Sequence, residues 1–426
     1  MPSNKSLTVV IAGAGLGGLT TALALRQRGL RTVVLEQASK LGEIGAGIQT
    51  APNASRILLG LGLRSQLDRI KTEPQEHVRR RWQDGSIIAA KPLGASVQHQ
   101  YGAPYWHFHR ADLHNVLLQA CLDPDRPGPV SEIHTLSTVT EVDTSDPARP
   151  VAVTADGRRY SGDVVVAADG IRSTVRDAMG FDDTLEFTGE MCFRALIPAD
   201  KLAADPSTRF LLDRFHSTIW WGPDRHLVHF FIRNGDIFNI ASCVPNTMDT
   251  DLAWTVPSTP EEMIEHLPGW DDRIASILSK AEGEGGDAVT KWALFRRRRD
   301  PNWVDGRVAL LGDAAHAMLP YQGQGASQAM EDAAVLAEEL AAVDADEVEG
   351  ALRRYTARRV NRAGMVQDAS WANKSLYHLA DGPDQVERDR IMTEFTGESH
   401  ISFDWLWRGP QVDSYDSESF QYPFAH

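Results

Sequence analysis

Apolar and polar positions divide the chain into recognisable elements from its first residues. Leu7 to Ala12 (LTVVIA) is a β-branched apolar run bounded by glycine, the pattern of a strand buried on both faces. Gly13-Ala14-Gly15-Leu16-Gly17-Gly18 follows, and Leu19 to Arg28 then carries apolar residues at helical spacing up to a stop at Gly29. A second apolar run, Thr32 to Glu36 (TVVLE), closes a βαβ unit. The polar, Gly-rich segment Gly42 to Asn53 precedes a helix through Leu58 to Leu67. From about Val78 to Val166 short β patterns alternate with turns, interrupted by a helical stretch from Arg110 to Leu122. Asp163 to Ala168 (DVVVAA) predicts a third buried strand, ending at Asp169-Gly170. From about Thr184 to Val289 the strands lengthen and become rich in Phe, Trp and Ile, as in Ser217 to Trp221 and Leu227 to Arg233, which predicts a mostly antiparallel sheet. The βαβ character returns with Arg307 to Leu311, Gly312-Asp313 and a long helix from about Gly325 to Ala342.

The fold class that follows is α/β (α+β overall), with the first domain built from both ends of the chain. Residues 1–183 and 291–370 are expected to form that domain, residues 184–290 an inserted sheet domain on the substrate side, and residues 371–426 a C-terminal helix and aromatic tail. Composition agrees: 426 residues, 42% hydrophobic and 24% charged, form an ordinary globular mixture and exclude disordered or fibrous classes. With 43 Lys+Arg against 58 Asp+Glu the net charge is −15, so nucleic acid and anionic membrane surfaces are poor partners. Two short basic patches, Arg79-Arg80-Arg81 and Arg296 to Arg299, read as solvated or ion-paired. Cys121, Cys192 and Cys243 lie far apart without a CxxC, which argues against a disulfide framework or a thiolate metal site. Met1 to Ser6 leave no room for a signal peptide before the first strand, and no stretch reaches the roughly 18–20 apolar residues of a membrane span. A cytoplasmic location is the default expectation.

Gly13, Gly15 and Gly18 form GxGxxG between a strand and a helix. The first glycine permits the tight turn, the second lets backbone approach a pyrophosphate, and the third allows close helix-to-strand packing. A diphosphate would lie over amide N–H groups at the helix N-terminus, where the macrodipole favours an anion. Glu36, at the end of the second strand, is placed to accept hydrogen bonds from the adenosine ribose hydroxyls. These residues predict a dinucleotide site without saying whether the dinucleotide is FAD or NAD.

Two later motifs decide the question. Asp169-Gly170-Ile171-Arg172-Ser173 and Gly312-Asp313-Ala314-Ala315-His316 each end a buried strand. With the N-terminal fingerprint, with GEIGAGIQTAPNA from Gly42, HRADLH from His109 and the run from Trp303 to Leu340, they resemble the single-component flavoprotein aromatic hydroxylases, the family of para-hydroxybenzoate hydroxylase and salicylate hydroxylase. The resemblance spans nearly the whole chain. It implies a Rossmann-like FAD-binding domain with an inserted substrate domain. It also implies that Asp313 bonds the ribityl chain, that Arg110 contacts the diphosphate and ribityl side, and that Asp169 and Gly170 serve FAD and the nicotinamide cofactor. Gly45, Ala46 and Gly47 resemble the loop over the isoalloxazine ring, and the Pro320 carbonyl is implied beside the flavin carbon that carries oxygen. Gly323, Gln324, Gly325 and Ala326 precede a long helix, so their free N–H groups can face the flavin pyrimidine edge and stabilise negative charge on reduction. One departure is Ser327, where the family often has Asn.

The implied chemistry is hydride transfer from NADH or NADPH to FAD, reaction of the reduced flavin with dioxygen, and attack of an electron-rich ring on the resulting hydroperoxide. There is no second GxGxxG, so the nicotinamide cofactor is a transient co-substrate, with NADH the expected one. A phenol is more nucleophilic as phenolate, so a base near neutrality is needed, and histidine is the natural candidate. His226, in a Gly-Pro-x-x-His segment, resembles the active-site histidine of hydroxybenzoate hydroxylases, although Phe230 stands where relatives carry Tyr. His107, His109 and His114 lack a spaced carboxylate partner, and no metal is expected. The tail motif Asp404-Trp405-Leu406-Trp407 resembles the ends of salicylate hydroxylase and 3-hydroxybenzoate 6-hydroxylase. The expected substrate is therefore a small hydroxylated aromatic acid, first of all salicylate converted to catechol with loss of CO2. The alternatives are 3-hydroxybenzoate, 6-hydroxynicotinate or another phenol, and, from a different class, a non-catalytic flavin-binding sensor. Arg194 and Arg233 are candidates for the substrate carboxylate. A monomer or homodimer is expected.

Overall fold

In a computed structural model, which describes residues 7–42, 46–181, 184–248, 255–281, 288–394 and 404–409, two large sheets organise the molecule. The first has six strands in the order Val304–Asp305, Val308–Leu310, Val164–Ala167, Thr8–Ala12, Arg31–Leu35, Glu132–His134. All neighbours but the first pair are parallel. Val9 to Ile11, Val164 to Ala167 and Val308 to Leu310 are wholly buried, as in a sheet covered by helices on both sides. One of those helices, Leu16–Gln27, begins three residues earlier than the apolar spacing predicts. Glycine explains the difference: Gly17 and Gly18 lie inside the helix, where a Cβ on Gly17 would come within 3.2 Å of Ala329 on the helix Gly325–Ala341. The two helices pack through that gap.

The second sheet has eight strands in the order Val256–Ser258, Val289–Arg297, Leu185–Pro198, Ile237–Pro245, Arg225–Ile232, His216–Gly222, Glu76–Arg81, Ile87–Pro92. It departs from the expected division of the chain at both ends. Its last two strands come from before residue 184, and the strand Val289–Arg297 runs past 290. The hairpin 76–92 joins because Glu76–Arg81 pairs in parallel with His216–Gly222 and lays Arg79 and Arg80 over the rings of Trp221 and Trp220. Such long-range pairing leaves no local trace in sequence.

Side chains alternate across this sheet. Leu227, Phe231 and Trp220 enter a core capped by Met263, Ile274 and Ile277 from the helices Pro260–Glu265 and Asp272–Leu278. His226, Val228 and Phe230 take the other face, where His226 meets Tyr321, Val228 packs with Ile88, Trp221 and Leu376, and Phe230 meets His107. The chain finishes with a long helix, Val348–Tyr377, a helix Pro383–Glu394 and the turn Asp404–Trp407. That turn is docked: Trp407 packs edge-on against Tyr101 at 5.2 Å, and Arg362 donates to the carbonyls of Trp405 and Leu406. No helix among the described residues is long and apolar enough to cross a membrane. Both basic patches carry ion pairs, Arg81 with Asp381 and Asp389, and Arg296 and Arg298 with Glu186.

Candidate active site

Three parallel strands set the site. Ala12, Ala167 and Leu310 are register partners at the carboxyl ends of adjacent strands, with Gly13 one residue beyond its strand and Asp169 and Gly312 two residues beyond theirs. Ligands of open α/β sheets bind at this edge. The loops touch: a Cβ on Gly13, whose φ is 101°, would lie 2.4 Å from the carbonyl oxygen of Ala168, and one on Gly18 would lie 2.0 Å from that of Gly13. Gly15 is the extended N-cap of its helix and offers no side-chain cap. His114 Nε2 lies 2.7 Å from the carbonyl oxygen of Ala14, so the ring bears its proton there and braces the turn.

Glu36 follows its strand half-buried, and its two carboxylate oxygens accept the N–H groups of Ala14 and Ala38, each at 2.8 Å. An ionised carboxylate has about four acceptor sites, so two remain for ribose hydroxyls. Asp169 Oδ2 accepts from Val175 N and Thr174 Oγ1, while its Oδ1 is buried without a hydrogen-bond partner among the described residues. Burial raises its pKa, an unmet cost that a ligand donor would relieve. Gly170, at φ 84°, turns the chain behind it. Asp313 is exposed, makes no hydrogen bond or ion pair among the described residues, and reaches within 3.9 Å of where a Cβ on Gly325 would stand. The helix Gly325–Ala341 has neither a capping side chain nor an acidic residue in its first turn, leaving its N–H groups of Gly325 and Ala326 open to an anion. These features fit a flavin dinucleotide: a glycine cradle, an orphaned buried carboxylate oxygen, a free carboxylate and an uncapped helix N-terminus along one edge.

The loop before that helix is held from several sides. Gly323, at φ 61°, donates to the Pro320 carbonyl at 3.0 Å and packs against Gln49. Gln324 is buried and accepts from Asn53. Gly47 donates to Asn239 Oδ1 at 2.8 Å, and the Ala46 carbonyl accepts the Arg110 N–H at 2.7 Å, tying this loop to the large sheet and to the start of the helix Arg110–Leu122. Gly45 lies outside the described residues. Ser327 Oγ, where the family often has Asn, is buried without a hydrogen-bond partner among the described residues.

His226 is 2% exposed, and its ring lies 4.5 Å from that of Tyr321, the residue after Pro320. Burial and then the neighbouring His378 depress its pKa well below that of a free imidazole, so it is neutral at rest. The Phe230 ring lies 4.3 Å from that of His107, tilted by 38°, and fills the space above Gly47. Of the two arginine candidates, Arg233 is already held bidentate by Asp112 and drops out. Arg194 lies 4.6 Å over the Trp292 ring and makes no ion pair among the described residues. Burial and the charge of nearby Arg110 both lower its pKa. The three tempting histidines separate: His107 is wholly buried with its pKa pushed down to about 3, His109 sits beside Arg233, and His114 braces Ala14. A cavity of about 330 Å³, lined by Arg80, Arg273, His229 and Trp220 among others, opens on the far face of the large sheet, away from these motifs.

Sequence reading missed a buried charge network beneath the site. Glu331 accepts from Asn53, Arg359 and Arg362, and Asp332 from Arg359, His316 and the Gly312 N–H. Burial alone would raise Asp332, but His316 and Arg359 outweigh it and hold the carboxyl at about 2. The network pins Gly312, the residue before Asp313. Its signal was present in sequence as two consecutive acids, Glu331 and Asp332, between the apolar residues Ala329, Met330 and Ala333 to Ala337.

A dinucleotide edge on a parallel sheet, closed by a second sheet that presents a histidine, an arginine and aromatic rings, defines a class: the flavin-dependent aromatic monooxygenases. The chain belongs to the FAD binding domain family, which it matches over residues 6–370. It is 39% identical to 3-amino-4-hydroxybenzoate 2-monooxygenase of Streptomyces platensis, over 94% of this chain and 95% of that one. It is 37% identical to 3-hydroxybenzoate 6-hydroxylase 1 of Aquipseudomonas alcaligenes, over 96% of this chain and 99% of the relative. Among solved structures, a salicylate hydroxylase substrate complex superposes with a TM-score of 0.77 at 26% identity, covering 95% of this chain and 96% of that chain. The protein is an FAD-dependent aromatic monooxygenase.

Proposed function

We propose that the protein hydroxylates a small phenolic acid of the hydroxybenzoate class, using NADH or NADPH and dioxygen. FAD, when bound, supplies the activated oxygen. The chain's residues do the rest. Gly13, Gly15, Gly18 and Glu36 hold the adenosine diphosphate half, and Asp169, Gly170, Arg110, Gly312 and Asp313 the diphosphate and ribityl side. Ala46, Gly47, Pro320 and the N–H groups of Gly323 to Ala326 surround the ring. Arg194 takes the substrate carboxylate, and His226 accepts the phenol proton.

The observation that carries this reading is the position of His226, a buried neutral imidazole on the sheet face toward Tyr321 and the Pro320 loop. A neutral imidazole has a free ring nitrogen that can accept the phenol proton. Higher identity to the enzymes acting on 3-hydroxybenzoate and 3-amino-4-hydroxybenzoate than to the salicylate hydroxylase weighs toward hydroxylation that keeps the carboxyl. Decarboxylation of salicylate to catechol is the second reading, favoured by the structural superposition. The test is NAD(P)H oxidation across salicylate, 3-hydroxybenzoate, 3-amino-4-hydroxybenzoate and 6-hydroxynicotinate, with products identified and peroxide measured. A hydroxylated product from one of them supports the proposal. Flavin-bound protein whose NAD(P)H oxidation no phenolic acid stimulates would favour a non-catalytic flavin sensor instead.

A further inference from the structure

His226 does not stand alone. Its Nδ1 lies 2.9 Å from Nε2 of His378, and Nδ1 of His378 lies 3.3 Å from Oε1 of Glu190. Glu190 is 3% exposed, and the His378 side chain 7%. The Glu190 carboxylate also accepts the Tyr321 hydroxyl, at 2.8 and 2.7 Å from its two oxygens, and stands 3.2 Å from Lys374 Nζ. The titratable groups around the pair are therefore Tyr321, Tyr377, Lys374, Glu190 and, across the strand from His226, Cys243 with Cys192 beyond it.

A carboxylate can only accept, so with His378 neutral the order of protons along the line follows. His378 donates Nδ1–H to Glu190, so its Nε2 carries the lone pair. His226 must then donate Nδ1–H to that lone pair, which leaves Nε2 as the basic nitrogen of His226. Three residues from separate elements thus specify one tautomer of the base: Glu190 on the strand Leu185–Pro198, His226 on Arg225–Ile232, and His378 just past the helix Val348–Tyr377.

We propose that Glu190 and His378 are positioning residues that keep His226 in its Nε2-basic form and receive the proton it takes from the substrate. The substrate O–H bond breaks as the Nε2–H bond of His226 forms. The Nδ1–H bond of His226 breaks in turn as the Nε2–H bond of His378 forms. His226 ends neutral in its other tautomer, and the positive charge rests on His378 against the Glu190 carboxylate. No electrons are transferred. The arrangement answers a difficulty of the site, since a buried imidazole on its own resists carrying charge, whereas one ring further on the charge meets a carboxylate.

This inference rests on the reading of His226 as the substrate base, and the experiment separates the two. In histidine-labelled holoenzyme, NMR of the ring nitrogens, assigned with His226→Asn, reads the tautomer directly and needs no turnover. The expected result is Nδ1–H on His226 in the native protein. An Nε2–H tautomer overturns the proposal whatever the activity. In Glu190→Gln and His378→Gln, each checked for FAD content, the ionisation of bound substrate is followed by its phenolate absorbance and hydroxylation by product formed per NAD(P)H. The phenol-to-phenolate transition should move up by at least about one pH unit and hydroxylation should slow by about tenfold or more, with flavin reduction retained. Folded, FAD-loaded variants with native ionisation and pH profile contradict the relay. If His226→Asn also leaves substrate ionisation unchanged, it is the base assignment that fails.

Discussion

A single methyl group is a sharp probe of the glycine-rich turn. In Gly18→Ala the new Cβ meets the Gly13 carbonyl at 2.0 Å, a contact with backbone that only movement of the turn can relieve. Such overpacking costs about 1–3 kcal/mol, and it falls where the diphosphate must lie. We expect flavin content per mole of purified protein to fall by about tenfold or more. Gly29→Ala is the contrast: its φ is 84° but nothing lies within 4 Å of the new Cβ, so it should lower the melting temperature slightly and leave flavin content alone. These glycines were legible in sequence because their code is local, a turn and a close approach at fixed spacing. His226 was legible only through resemblance. His378 was not legible at all, because nothing about a histidine at a helix end marks a partner 152 residues away.

The helices Gly325–Ala341 and Val348–Tyr377 meet through wholly buried charge, Glu331 and Asp332 with Arg359. Removing the cation strands two carboxylates, so Arg359→Ala should lose about 3–5 kcal/mol in denaturant unfolding. The same cluster makes stability depend on acid. The folded pKa of Asp332, about 2, lies below its unfolded value of about 3.9, so its contribution is complete above the unfolded value and lost as pH falls through the folded one. Denaturant unfolding followed from about pH 5 to pH 2 should show a loss on the order of 2 kcal/mol that Asp332→Asn lacks. Sequence patterning placed the helix Gly325–Ala341 to within a residue, because apolar spacing decides a helix, but its division of the chain at residue 370 cut through Val348–Tyr377. It could not show that the pair closes on charge, nor that the hairpin 76–92 joins a sheet whose other strands follow residue 184.

At the scale of the whole molecule, motifs separated by some three hundred residues meet because parallel strands end together, at Ala12, Ala167 and Leu310. That convergence was foreseeable from the βαβ pattern at both ends of the chain. The electrostatics were not: a net charge of −15 gives no hint that Arg110 and Arg194 lie close enough for one to lower the pKa of the other. With Arg110 assigned to the FAD diphosphate, we expect Arg194 to draw the aromatic carboxylate into an otherwise acidic protein. Replacing Arg194 with Met should therefore raise KM for the aromatic acid by about tenfold to a hundredfold, while the stoichiometry of bound FAD is retained. Steady-state kinetics beside the flavin absorbance of the purified variant would show whether that holds.

The most direct test is a coupled-turnover measurement on the FAD-loaded protein with labelled dioxygen and the hydroxybenzoate panel. The expected result is NAD(P)H oxidation stimulated by one small phenolic acid, with one labelled oxygen atom in the aromatic product and little peroxide. Stimulation by none of them, or oxidation that ends entirely in peroxide with the aromatic acid recovered unchanged, would contradict a phenolic-acid hydroxylase.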